Sequence, residues 1–308
     1  MKRCLLFFIT IFSICCTKLY AQEIFELFAD NHIENQSAAI FNQYLFSVKD
    51  RLSSVSLYDL NKKRLIYTLK LAPHNEKNED GFLVYHCNQC CFGKERYEEN
   101  DYFPLFYISQ RNPSNTLGAL ITVFRIVPHT DANSVIDSFE IENVQSIYLP
   151  VMTDQNSMGN PNLLIDTKKG FLYTYSRNNN TKASNYGITV ISKFDLPALY
   201  KNGVLQKEVF LTDHDILDSF PCDFKLINAQ GGFLRKGKIY IAQGYPNVKY
   251  VYFREINIKK RRQTKVVDML DLGFIKEPEG VWYYNGHVMV TTDKKEIFRL
   301  NGKQFKVK

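Results

Sequence analysis

The stretch INAQGGFLRKGKIYIAQGY, residues 227–245, sets the pattern for the whole chain. Two apolar runs with alternating polarity flank Lys236 and Gly237, a pair typical of a tight turn, so the stretch predicts a β-hairpin. Polar residues lead into its first strand. Weaker copies of this unit recur along the sequence, which indicates a repeat protein whose units close into a ring.

The repeat is clearest on the second strand of each unit. The central residues of these strands are Leu45, Phe106, Tyr173, Tyr240 and Met289, at intervals of 61, 67, 67 and 49 residues. Four-stranded propeller blades repeat about every 40–50 residues, so these units carry long loops. We therefore predict an all-β fold, a β-propeller of about five antiparallel blades, with six as the alternative count. The N-terminal strand, residues 22–28, is expected to close the ring; a two-sheet sandwich or irregular barrel is the competing architecture.

The N-terminus predicts export. A charged start, an apolar run over residues 5–14 and a small-residue site before Gln22 follow the order of a secretory signal peptide. The run is shorter than the roughly 20 apolar residues of a membrane-spanning helix. We expect a periplasmic, extracellular or cell-surface protein; an uncleaved anchor, or a lipid anchor at Cys15 or Cys16, is the alternative.

The remaining composition fits one propeller. A signal peptide over residues 1–21 would leave residues 22–308 as a single domain, rich in the Phe and Tyr that favour strands. Mean hydropathy of −0.27 argues against further membrane spans. Much of the +7 charge lies in the signal peptide and in KKRR, residues 259–262, where a solvated hairpin turn is expected. Because aromatic and basic residues do not interleave, we expect no nucleic-acid partner. We also expect the protein to be a monomer.

Four cysteines lie outside the signal peptide, at Cys87, Cys90, Cys91 and Cys222. An exported protein can form disulfides, and the sequence leaves the pairing open. The density of ligands in HCNQCC, residues 86–91, also resembles a zinc site. However, strand alternation predicts Cys87 and Cys91 on one face and His86, Asn88 and Cys90 on the other, which favours packing or a disulfide. A cysteine nucleophile with His86 as base is a minor alternative.

Polar residues recur where each innermost strand begins, in pairs two positions apart: His86/Asn88, Asn160/Asn162, Asn228/Gln230 and Glu277/Glu279. Such pairs share one face of a strand, and the innermost strands of a propeller line its central channel. We expect a site there, with ligand-binding residues His86, Asn88, Asn162, Asn228, Gln230 and Glu279. Glu279 and Glu277 are the candidate acid and base. The alternative is that these residues only solvate the channel or bond the neighbouring blade.

Two segments carry a family resemblance. NAQGGFLRKGKIYIAQG and EPEGVWYYNGHVMVTTD resemble inner hairpins of the propeller group that contains the gluconolactonase-like, NHL-like and glutamine cyclotransferase-like proteins. The run Glu277 to Gly280 is similar to a "PEG" strand start in that group, and Gln230-Gly231 to the "QG" of the cyclotransferase-like branch. The lactonase-like branch implies Ca²⁺ or another divalent ion, held here by Glu279, Asn162 and Asn228. An aspartate ligand of that branch has no clear counterpart.

Two functional hypotheses follow. In the first, the propeller binds a small molecule, glycan or protein at its channel mouth without catalysis. In the second, it is a divalent-metal-dependent hydrolase or lactonase, or a cyclotransferase-like enzyme, at the same site. The first is favoured because the polar residues are mostly Asn and Gln. A plugged channel with aromatics on one rim would support it.

Overall fold

The computed structural model describes residues 24–29, 36–49, 54–71, 87–110, 119–150, 161–177, 181, 186–224, 228–245, 247 and 250–307. The expected signal peptide, residues 1–21, lies outside these ranges. The described strands are β1 Phe25–Ala29, β2 Ser37–Phe41, β3 Tyr44–Val48, β4 Ser54–Asp59, β5 Arg64–Lys70, β6 Cys87–Phe92, β7 Phe106–Gln110, β8 Leu120–Thr130, β9 Ile136–Tyr148, β10 Asn162–Asp166, β11 Phe171–Arg177, β12 Thr189–Asp195, β13 Tyr200–Lys201, β14 Val204–Leu205, β15 Glu208–Phe210, β16 Asp218–Pro221, β17 Ala229–Arg235, β18 Lys238–Tyr245, β19 Tyr250–Asn257, β20 Arg262–Asp268, β21 Pro278–Tyr284, β22 His287–Thr292 and β23 Ile297–Leu300. Short 3-10 turns lie at Asp213–Asp215 and Lys303–Phe305.

The strands form five blades, which confirms the predicted propeller. Blade one is β2 to β5, and blade two is β6 to β9 with β15 added in parallel along β9. Blade three is β10, β11, β12 and β16, and blade four is β17 to β20. In blade five, β1 pairs antiparallel with β23, so the N-terminal strand completes the last sheet as predicted. The strands β2, β6, β10, β17 and β21 are innermost and contact one another around the axis.

The hydrophobic core is divided among the contacts between neighbouring blades. Five clusters of buried side chains fill these contacts, one between each pair of blades around the ring. Successive residues of one strand serve different clusters: Phe46 packs towards blade two, whereas Leu45 packs towards blade five. Both are fully buried. Because both faces of a blade are covered, the strands are apolar on both faces, and burial of each such side chain contributes about 1.5–3 kcal/mol.

The turn of the opening hairpin has the geometry that its residues predict. Lys236 and Gly237 have φ angles of 49° and 72°. Positive φ at both central residues is the signature of a type I′ turn, whose twist matches that of the flanking strands. Asn285 and Gly286 repeat this pattern between β21 and β22, with φ of 45° and 88°. The basic run at residues 259–262 also lies at a strand connection, between β19 and β20, and its side chains are exposed.

The cysteine-rich strand differs from its predicted alternation. The pairing of β6 with β7 shifts register between Cys87 and Gln89, so Asn88 lies in a bulge. Cys87 and Cys90 therefore both pack between blades one and two, whereas Cys91 packs between blades two and three. The prediction that Cys87 shares a face with Cys91 was wrong, because a bulge adds one residue and reverses the alternation after it.

All four described cysteines are free thiols, so the disulfide expected as one alternative is not formed in this structure. Burial raises the pKa of Cys90 to about 12, and burial with the charge of Asp223 raises that of Cys222 to about 12. A nucleophilic cysteine works as the thiolate, so neither side chain has the character of a nucleophile at neutral pH. Among the described residues, no helix is long and apolar enough to cross a membrane.

Candidate functional site

Polar side chains collect where the innermost strands begin. We call this set the polar ring, and its members are Gln36, Asn88, Asn162, Gln230, Glu277 and Glu279. Every blade contributes at least one of them. Asn162, Gln230 and Glu279 are buried, with exposed fractions of 2%, 7% and 8%. The sequence pattern thus located a real concentration of polar groups at the start of the inner strands.

Several ring members bond across blade boundaries. Gln36 Nε2 of blade one donates to Glu279 Oε2 of blade five at 3.4 Å. Gln230 Nε2 of blade four donates to Glu277 Oε1 at 2.9 Å. The two glutamates of blade five are therefore held from opposite sides, one by each neighbouring blade. Between blades two and three, Asn88 Nδ2 lies 3.5 Å from the carbonyl oxygen of Pro161, a weak contact.

Glu277 is the ring carboxyl whose titration is altered. Burial raises its pKa above the ordinary glutamate value, and the negative charge of Asp293 raises it further. The hydrogen bond from Gln230 and the charge of Lys294 act in the opposite direction. A carboxyl with a raised pKa keeps its proton to higher pH, as a general acid requires.

Asn162 supplies the ring's open hydrogen-bonding group. Its Oδ1 is buried and has no hydrogen-bond partner among the residues that the structure describes. Asn162 pairs in register with Tyr175, and the hydroxyl of Tyr175 lies 3.0 Å from the carbonyl oxygen of Gln230. Residues paired in register share one face of the sheet, so the Asn162 side chain lies on the face of β10 that meets blade four, as Tyr175 does. A buried acceptor without a donor costs about 1–3 kcal/mol, so a ligand that donates a hydrogen bond there would recover that free energy.

Of the residues predicted for the site, His86 lies outside the described residues. Asn228 is described, and its position differs from the prediction. Asn228 is exposed and precedes β17 in a left-handed conformation, with φ of 51°. Its carbonyl oxygen accepts a hydrogen bond from Gly244 N at 2.9 Å. Because Asn228 precedes the strand, the two-residue alternation that placed it beside Gln230 does not apply to it.

Below the polar ring, the channel is crossed by a hydrogen-bonded layer that the sequence analysis missed. Gln89, 1% exposed, reaches from blade two to blade four, where its Nε2 donates to the carbonyl oxygen of Gly232 at 2.7 Å. The hydroxyl of Tyr175 lies 2.7 Å from Gln89 Oε1. We call Gln89, Tyr175 and Gly232 the axial layer. Its cause is the bulge at Asn88, which turns Gln89 towards the axis and leaves little signature in the sequence.

Glycines allow the inner strands to approach one another at this level. A Cβ on Gly231 would lie 2.7 Å from the carbonyl oxygen of Glu279 and 2.9 Å from the Cα of Gly280. Both β17 and β21 also shift register here, after Ala229 and after Pro278. The close contact of blades four and five at the axis therefore requires the absence of a side chain at residue 231.

The polar ring is rich in oxygen atoms, which Ca²⁺ and Mg²⁺ prefer as ligands. The described residues include no group of three or more His, Cys, Asp or Glu side chains that could hold a metal ion. Of the predicted ligands, Glu279 is the one carboxylate, Asn162 offers its open Oδ1, and Asn228 is exposed. Ca²⁺ takes six to eight oxygen ligands, so this set fits it poorly without further donors.

No protein-family model matches the chain, and no curated protein matches its sequence. Solved structures do match. Glutaminyl cyclase of Myxococcus xanthus aligns over 91% of this chain and 94% of its own, with 10% identity and a TM-score of 0.51. An aldose sugar dehydrogenase of Streptomyces coelicolor aligns over 92% and 81%, with 11% identity and a TM-score of 0.43. Hydrazine synthase of Kuenenia stuttgartiensis aligns over 82% of this chain but only 60% of its own, with 12% identity and a TM-score of 0.40.

At 10% identity, the cyclase supports the fold and not an activity. Its alignment nevertheless covers nearly the whole of both chains. Together with five sheets of four or five strands arranged around one axis, this similarity establishes that the chain has the β-propeller fold.

Proposed function

We propose that this chain is an exported, non-catalytic binding propeller whose polar ring takes a small ligand rich in hydrogen-bond donors, such as a sugar. The observation that carries the proposal is the open Oδ1 of Asn162, which is buried on the face of β10 that meets blade four. Buried polar groups in folded proteins are nearly always paired, so an unpaired acceptor at a channel mouth is explained by a ligand.

The chemistry of the ring sets the ligand class. Its carboxylates and the Asn162 amide oxygen accept hydrogen bonds. The Nε2 groups of Gln36 and Gln230 already donate hydrogen bonds to the two glutamates of the ring. A ligand with several hydroxyl groups or an amine complements this surplus of acceptors. The axial layer closes the channel below the ring, which supports a terminal binding pocket rather than a passage.

The test is a sugar-binding screen followed by calorimetric titration. Asn162→Ala is expected to weaken binding of the best ligand by about tenfold, since one hydrogen bond in a buried site contributes about 1.4 kcal/mol. Asn133→Ala, in an exposed turn between β8 and β9, is the matched control and should bind like the wild type. Equal affinity of the Asn162 variant and the wild type would reject the proposed site.

A second candidate is an enzyme that uses the same ring. The direction of the Glu277 pKa favours it: burial and the charge of Asp293 raise that pKa, and a carboxyl with a raised pKa two residues from a second glutamate, Glu279, is a candidate for acid–base chemistry. The test is hydrolysis of lactones and esters, with metal content measured in parallel for wild type and Glu279→Gln. Turnover that Glu277→Gln abolishes, with or without a stoichiometric divalent ion, would replace the binding proposal with the enzymatic one.

A further inference from the structure

A cavity of about 710 Å³ lies on the other side of the axial layer from the polar ring. All five blades line it through the later residues of their innermost strands, from Ala38 in β2 to Tyr283 in β21. Its volume is within the range of roughly 300–1,000 Å³ typical of small-molecule sites. We call this cavity the basic chamber.

The charged residues that line the basic chamber are all cations: Lys94, Arg96, Lys168 and Arg235. They come from blades two, three and four. None of them forms an ion pair with a carboxylate in the part of the chain that the structure describes. Since no Asp or Glu lies among the described lining residues, the chamber combines positive charges without local compensation.

The remaining walls are apolar and aromatic. Phe41 and Tyr283 are half-buried at blades one and five, and the guanidinium carbon of Arg235 lies 4.1 Å from the centre of the Tyr283 ring. Trp282, 3% exposed, also lines the chamber. This composition differs from that of the polar ring, where carboxylates and amides dominate.

Two buried donors in these walls have no acceptor among the described residues. They are Trp282 Nε1 and Arg235 Nε. Buried N–H groups are seldom left unpaired, because each loses its hydration without a replacement. Asn162 Oδ1 in the polar ring needs a hydrogen-bond donor, whereas these two N–H groups need an acceptor. The positive charges around them favour an acceptor that is negatively charged.

We propose that the basic chamber binds a small amphipathic carboxylate, with its apolar body against the aromatic walls and its carboxylate at the cationic rim. A bare inorganic anion would leave the apolar walls unused, and a neutral apolar ligand would leave the four cations without a counter-charge and the two buried donors without an acceptor. The carboxylate of such a ligand can accept from Arg or Lys in charge-assisted hydrogen bonds. The site is separate from the polar ring, because the Gln89 side chain crosses the channel between them.

The chain contains an intrinsic fluorescent probe of this cavity. Trp282 is the single tryptophan of the chain and lies in the chamber wall, so its fluorescence reports occupancy. We would titrate the purified chain with decanoate, below its micelle concentration, and with decanol as the uncharged match. Decanoate is expected to change the Trp282 emission saturably and to bind at least about tenfold more tightly than decanol, the factor given by one charge-assisted hydrogen bond.

Variants locate the carboxylate. The double change Lys94→Gln and Lys168→Gln removes two exposed rim charges and should weaken decanoate binding about tenfold while leaving decanol unchanged. Lys259→Gln with Lys260→Gln removes the same charge from the exposed β19–β20 turn and should leave both affinities as in the wild type.

Three results would overturn the proposal: no saturable change in Trp282 emission, equal affinity for decanoate and decanol, or equal loss of affinity in the rim and turn double variants. Asn162→Ala should bind decanoate normally, so failure of the polar-ring proposal and failure of this one are distinguishable.

Discussion

The axial layer makes a quantitative prediction about two buried tyrosines. Tyr175, on β11, is fully buried, and its hydroxyl lies 2.7 Å from Gln89 Oε1 and 3.0 Å from the carbonyl oxygen of Gln230. Its single hydrogen serves these two acceptors. Tyr107, on β7, is equally buried, but its hydroxyl has no hydrogen-bond partner in the described part of the chain. Substitution by phenylalanine removes only the hydroxyl in each case.

The two substitutions should change the free energy of unfolding differently: Tyr175→Phe should lower it, and Tyr107→Phe should leave it nearly unchanged or raise it. In Tyr175→Phe, Gln89 Oε1 loses its donor inside a layer where water has little access, so the free energy of unfolding should fall by about 2 kcal/mol, within the 1–3 kcal/mol cost of a buried unsatisfied group. In Tyr107→Phe, an unpaired buried hydroxyl disappears, and stability should stay within about 0.5 kcal/mol of the wild type or rise. For a chain of this length, 2 kcal/mol corresponds to about 3 °C in Tm.

Urea unfolding followed by circular dichroism measures both variants, with Trp282 fluorescence as a second probe to check two-state behaviour. The two variants are controls for each other, because the residue type, the burial and the substitution are the same. Equal destabilisation of Tyr175→Phe and Tyr107→Phe would refute the argument that the axial layer is held by the Tyr175 hydroxyl. Loss of stability in Tyr107→Phe alone would show that its hydroxyl has a partner.

Three further changes test other parts of the structure. Burial raises the pKa of Glu277, so the folded state loses stability as pH rises through the glutamate range; Glu277→Gln should be more stable than the wild type at pH 7.5, with the difference vanishing at acid pH where both states are protonated, as measured by urea unfolding at each pH. In Gly231→Ala, the new Cβ would lie 2.7 Å from the backbone oxygen of Glu279, and the midpoint of urea unfolding should show a loss of about 1–3 kcal/mol. Asp101, 11% exposed, accepts bonds from both Nε and Nη2 of Arg125, at 3.1 and 2.8 Å, so Asp101→Asn should cost about 2 kcal/mol in a thermal or urea titration.

The features that the sequence predicted correctly are the ones with local causes. The Lys236-Gly237 turn was recognisable because a type I′ turn requires positive φ at both central residues, and Gly adopts it readily. The second strands were found from their apolar centres, since Leu45 and its counterparts in the other units are buried between blades regardless of loop length. Closure by β1 followed from a last unit that ends one strand short.

The features that were missed depend on bulges. A bulge changes which side chains face the axis, but it has little signature in a strand that is apolar on both faces. The extra residue at Asn88 moved Gln89 onto the axis and placed Cys87 and Cys90 on the same side. Alternation alone therefore assigned the wrong neighbours in β6. The basic chamber was also not predicted, because Lys94, Lys168 and Arg235 come from separate blades and meet only in the ring.

The axial layer also decides whether the two ends of the channel influence each other. Gln89 is bonded at both ends of its amide, to Gly232 and to Tyr175, so turning it aside would leave several buried groups unpaired. A ligand in the basic chamber could change the affinity of the polar ring only by shifting the axial layer between two arrangements. A ligand in the polar ring would then change the affinity of the basic chamber by the same factor. We therefore expect saturating decanoate to leave the affinity of the polar ring for its ligand unchanged within about twofold, measured by calorimetry with and without decanoate. A larger change in that affinity, absent in Tyr175→Phe, would mean that the axial layer couples the polar ring to the basic chamber instead of separating them.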